Sequence, residues 1–169
     1  LYNIEKDPHE TKNLANDIAY NDILITMRGE LNNHLMSIND LSFLPEPYFL
    51  NNGIDDVVEY SAQNKTLIKK LIETSNLQLK DYDEVSSQIK NSLSDDNPWV
   101  RYWGLIVCSS FGTKAMENKD KIKVIFENDS ENLVRMRAAE FMLLNDIELN
   151  DSEINSLLKL SLIHISEPT

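Results

Sequence analysis

The chain is poor in the residues that punctuate or cross-link a fold. Its 169 residues hold one cysteine, Cys108, so disulfides within the chain and thiolate zinc sites are both excluded. Four glycines and five prolines are few for a turn-rich β fold and favour helices with short connections. Cations are scarce too. Sixteen Lys and Arg stand against 28 Asp and Glu, a net charge of −12. Nucleic-acid phosphates and anionic membrane surfaces both call for clustered cations, so neither is expected as a partner. No apolar run reaches the roughly 18 residues that cross a bilayer. What is present is 41% hydrophobic residues, enough to bury a core in one domain or a small pair.

The chain opens on Leu1 rather than Met and has no basic and apolar leader, so it is expected to be either a mature product or a piece of something longer. Leu1-Tyr2-Asn3-Ile4 reads as the end of a β-strand, and a lone strand needs partners, expected upstream. Asp7-Pro8 marks a turn, because proline presets φ and aspartate bonds nearby backbone. From Asp17 to Met36, Leu24, Met27, Leu31 and Leu35 recur at helical spacing. Gly29 weakens that helix by about 1 kcal/mol relative to Ala. Leu41 to Pro47 holds Pro45 and Pro47 and is expected to be an extended connector.

Leu1-Tyr2-Asn3-Ile4-Glu5-Lys6-Asp7-Pro8-His9-Glu10-Thr11-Lys12-Asn13-Leu14-Ala15 closely resembles the C-terminal signature of type I sulfatases. Members of that family often end a small sheet with Leu-Tyr-(Asp/Asn)-Leu. An acidic-basic pair, Asp-Pro, a small residue, Glu-Thr and Asn-Leu-Ala then follow. His9 stands where glycine is more usual. Asn39-Asp40-Leu41-Ser42-Phe43-Leu44-Pro45-Glu46 also resembles a segment of bacterial members that continue into a helical-repeat tail. The resemblance is tight over about 15 residues and loose over about 50.

An internal repeat follows. Residues 95–104 and 129–138 align without gaps at an offset of 34, matching Asp95 with Asp129, Val100 with Val134, Arg101 with Arg135 and Gly104 with Ala138. Each opens a helix. Asn97 suits the N-cap and Pro98 the first helical position. Trp99, Trp103, Ile106 and Val107 form one expected stripe, and Val134, Ala138 and Phe141 the next. Small residues at 104 and 138 are expected to let paired helices close up. Shorter amphipathic helices precede each: Val85, Ile89 and Leu93, then Ile122, Ile125 and Phe126. The paired helices, the Asp-then-Val-Arg pattern and the period resemble HEAT-like repeats. Residues 57–77, with Val57, Val58, Leu67, Ile68, Leu71 and Ile72, read as an earlier, less regular pair suited to a cap. A third repeat is expected from Asp151, with Ile154, Leu157 and Leu158. Solenoid units bury their faces against neighbours, so roughly three are needed.

Leu160-Ser161-Leu162-Ile163-His164-Ile165-Ser166-Glu167-Pro168-Thr169 matches at all ten positions one translated frame of a common transposase-based sequencing adaptor. It is therefore expected not to be biological.

Chemistry is sparse. His9, His34 and His164 make no metal-ligand spacing. Gly112-Thr113-Lys114 resembles the end of a phosphate loop, but Val107 stands where its first glycine belongs. Asp81, Asp83 and Glu84 lack the glycine and spaced acids of a calcium loop. Asn64-Lys65-Thr66, Asn128-Asp129-Ser130 and Asn150-Asp151-Ser152 fit the glycosylation sequon, a common tripeptide. Arg101 and Arg135, with Asp95 and Asp129, recur at repeat spacing, which favours structural bonds between repeat turns and helix ends. Cys108 reads as a small buried hydrophobe.

Sulfatases hydrolyse sulfate esters with a formylglycine made from Cys or Ser in a Cys/Ser-x-Pro-x-Arg motif, assisted by calcium. None of the prolines at 8, 45, 47, 98 and 168 completes that motif. The expected catalytic, cofactor-binding and metal residues in this chain are therefore none. The resulting expectation is a mainly α chain of three parts. Residues 1–49 are the last strand, helix and connector of an incomplete α/β sulfatase domain. Residues 50–159 are HEAT-like α-solenoid helix pairs, about two and a half units, and 160–169 are adaptor. By resemblance, the parent hydrolyses a sulfated carbohydrate, carries calcium and formylglycine, and is periplasmic or secreted. The fragment's expected partners are the missing N-terminal sulfatase domain and a protein on the repeat surface. Its own expected activity is none. The alternative is a non-enzymatic α-solenoid interaction module.

Overall fold

A computed structural model describes residues 1–52 and 54–155. The protein is mainly helical, with eight complete α-helices and no strand among the described residues. The chain divides into two compact units, Leu1–Ile68 and Lys69–Thr169. The division expected at 49/50 falls inside a helix.

In the first unit, residues 1–17 form a chain of turns. The strand expected at Leu1–Ile4 is absent: Ile4, Glu5 and Lys6 make a turn, and residues 1–3 have no regular structure. A strand exists only through a ladder of bonds to a neighbour, and among the described residues the one backbone bond to Leu1 runs from the Leu14 N–H to its carbonyl, at 2.7 Å. The helix expected from Asp17 begins later. Asp17 instead caps a 3-10 turn, Ile18–Tyr20, by accepting from the Ala19 N–H. Helix α1, Asn21–Ile38, then runs until Asn39 adopts a left-handed conformation (φ 49°) and bonds back to the Leu35 and Met36 carbonyls, a termination that asparagine tolerates well. Its expected stripe is not a core. Leu24 and Leu35 are half-buried, while Met27 and Leu31 are 53% and 58% exposed. No residue of α1 is buried.

The connector expected at 41–47 is largely helical. Asp40 caps a 3-10 turn, Leu41–Phe43, and Leu44 is extended before α2, Glu46–Asn52. Pro47 fits because the first helical turn has no backbone partner for the N–H that proline lacks. Asp56 caps α3, Val57–Gln63, by accepting from the Val58 and Glu59 N–H groups. The helix pair expected at 57–77 is present as α3 and α4, Lys65–Ser75. Ile68, Leu71 and Ile72 are buried, but Val57 and Val58 are exposed.

The second unit holds the sequence repeat. After a 3-10 turn, Asn76–Leu79, come α5, Tyr82–Ser92, and α6, Pro98–Phe111. A 3-10 stretch, Gly112–Asn118, leads to α7, Lys119–Asn128, and α8, Asn132–Leu144. The first residues of α6 and α8, Pro98 and Asn132, are 34 apart, the offset of the sequence alignment. One core joins all four helices. Val85, Ile89 and Leu93 meet Leu105, Val107 and Cys108, and with Ile122, Phe126, Val134, Ala138 and Phe141 they are buried. Each fully buried large side chain contributes about 1.5–3 kcal/mol against exposure.

The expected α6 stripe needs correction. Trp99 and Val107 are buried, but Trp103 and Ile106 are half-buried, and Val100, Gly104, Leu105 and Cys108 face the core instead. This helix is apolar nearly all round, so periodicity could not choose its inner face. Gly104 sits where α5 crosses. A Cβ there would overlap Ser92 Oγ and lie 3.2 Å from Ser92 Cβ. Beyond α8, residues 151–155 are helical. Their start is a capping box, in which Asn150 N–H donates to Glu153 Oε2 at 2.6 Å and Glu153 N–H to Asn150 Oδ1 at 3.0 Å. Leu157, Leu158 and the ten-residue adaptor match lie outside the described residues.

Candidate functional site

The N-terminal motif is a chain of turns in which the side chains of Asn3, Asp7 and Asn13 hold backbone. Asn3 Oδ1 accepts from the Lys6 N–H, and Asn13 Oδ1 from the Leu1 amino group and the Ala15 N–H. Asp7 accepts from the Lys12 N–H at 2.7 Å and from Thr11 Oγ1 at 3.0 Å. These bonds, the one to Lys12 first, hold the Asp7 carboxyl below its ordinary value. Such a set of bonds fixes a chain path.

The repeated charges form structural clasps. The Asp129 side chain is 3% exposed and takes both arms of Arg101: Nε to Oδ2 at 2.7 Å and Nη2 to Oδ1 at 2.8 Å. Arg101 Nη1 also donates to the Asp95 and Asp96 carbonyls, at 2.7 and 3.0 Å. The hydrogen bonds to Asp129 raise the guanidinium above its ordinary value despite burial. Asp95 is the counterpart of Asp129 one repeat earlier. Each accepts from the backbone N–H two residues on, Asn97 or Glu131, at 3.0 Å. Each also pairs with a cation from the second helix back, Lys70 of α4 for Asp95 and Arg101 of α6 for Asp129. The Nε of Arg135 has a different kind of partner from that of Arg101, donating to the Phe126 carbonyl.

A second network ties α5 to the 3-10 stretch after α6. Tyr82 Oη donates to Glu117 Oε1 at 2.6 Å, Lys90 Nζ to Glu117 Oε2 at 2.8 Å, and Asn118 Nδ2 to Tyr82 Oη at 3.1 Å. Lys90 first, and Tyr82 second, hold Glu117 below the usual carboxylate range. Burial, with the bond to Glu117, pushes the Tyr82 phenol up. On α6 and α8, the Arg137 guanidinium lies 5.1 Å from the Tyr102 ring centroid and donates to Tyr102 Oη. Tyr82 and Glu117, like Tyr102 and Arg137, are 35 residues apart in sequence, and no single-residue pattern announced them.

The other residues singled out by sequence stay apart. His9 and His34 are exposed, and His164 is outside the described residues. Among the described residues no group of three His, Cys, Asp or Glu could hold a metal ion. Cys108 is buried, and burial pushes its thiol up to about 12, so it is a weak nucleophile at neutral pH. Gly112-Thr113-Lys114 begins a 3-10 stretch that follows a helix, whereas a phosphate loop follows a strand. Asp81, Asp83 and Glu84 surround the start of α5, where acidic side chains suit the helix dipole. Between α4 and α5 lies an open groove of about 520 Å³ whose lining includes Lys70, Leu77, Lys80, Gln88, Asn91 and Asp95. Serine hydroxyls at 75, 92 and 110 donate to backbone carbonyls, which leaves them no activating base. The arrangement can hold helices in register and present a mixed polar surface.

No family model matches the chain, and neither a curated protein nor a solved structure matches it.

Proposed function

We propose that this chain is the C-terminal part of a bacterial type I sulfatase, extended by a HEAT-like repeat tail. The observation that carries the reading is the Leu1–Ala15 motif. Its support in the fold is that Asn3, Asp7, Thr11 and Asn13 all bond within the segment itself, so the motif is a built unit. The uncovered apolar side of α1, with Ile23, Met27, Leu31 and Ile38 half or more exposed, suits a helix that packs on a further domain. The parent hydrolyses a sulfate ester, on a sulfated carbohydrate, in the periplasm or outside the cell. Its calcium and formylglycine belong to residues beyond these 169. The deciding experiment is recovery of the upstream reading frame, which is expected to contain a Cys/Ser-x-Pro-x-Arg motif. A frame without one defeats the reading. The isolated chain is expected to leave a chromogenic aryl sulfate unhydrolysed.

A second reading has its own observation. The α5–α6 and α7–α8 pairs share the 34-residue offset, and Asp95 and Asp129 share a cation clasp. Both features suit a HEAT-like α-solenoid that binds proteins with no enzyme attached. An upstream frame of further helical repeats favours it over the sulfatase.

A further inference from the structure

We draw no further inference here: the strongest candidate, the exposed apolar stripe of Ile23, Met27, Leu31 and Ile38 along α1, is already part of the reading above, and nothing in the structure shows what covers it.

Discussion

Arg101 holds Asp129 through two parallel hydrogen bonds of 2.7 and 2.8 Å, across 28 residues of sequence, at a carboxylate that is 3% exposed. Removing the arginine strands a buried charge. Arg101→Ala is expected to cost about 3–5 kcal/mol, read as a lower urea midpoint at unchanged slope. Arg101→Lys keeps the charge but loses the fork, so it is expected to recover only part of the loss. A cost below about 1 kcal/mol for the alanine variant would show that the clasp does not hold the helices.

Gly104 gives a prediction in which two effects oppose each other. Alanine is the better helix former by about 1 kcal/mol, yet its Cβ would overlap Ser92 Oγ. Overpacking of this kind costs about 1–3 kcal/mol. Gly104→Ala is therefore expected to be destabilising, with part of the loss restored by adding Ser92→Ala. A stabilised single variant in thermal melts would mean that α5 and α6 move apart freely.

Glu117 makes stability depend on acid. Its folded value lies below the ordinary 4.5 because Lys90 and Tyr82 favour the carboxylate. The contribution is complete above the unfolded value and is lost as pH falls through the folded one. NMR titration of the Glu117 side chain should place its midpoint below 4.5, and Glu117→Gln should flatten stability against pH in that acidic window. A midpoint above 4.5 refutes the network.

Ser109 Oγ is buried with no hydrogen-bond partner among the described residues. An unsatisfied hydroxyl carries a desolvation cost. Ser109→Ala is expected to be neutral or stabilising by up to about 1 kcal/mol in chemical denaturation. A clear loss of stability would reveal a bond that the geometry does not contain.

The helices of the second unit were legible where one face alone is apolar. Val85 and Ile89, and Val134, Ala138 and Phe141, repeat at helical spacing and are buried. Trp103 and Ile106 misled because α6 is apolar on several sides, and only packing selects among them. The charge repeat located Arg101 but not its partner. Alignment sets Arg101 beside Asp95 in its own repeat, whereas the fold sends its fork to Asp129 in the next. Leu1–Ile4 has strand-like residues, but strand formation lies in a neighbour's backbone rather than in the side chains. Pro45 and Pro47 suggested extension, yet a helix start absorbs Pro47. No catalytic site was legible: the residues that stand out are hydrogen-bonding anchors of turns and helix ends.

The clasp between Arg101 and Asp129 also has a direction in time. A growing chain presents Arg101 first, and its partner follows 28 residues later. At roughly 5–20 residues per second on the ribosome, that is a wait of about one to six seconds. Throughout that interval α6 has its fork open, and the incoming α7–α8 turn is the piece that shuts it. Assembly of this unit is thus biased to run from N- to C-terminus, each helix pair latched by the next to emerge.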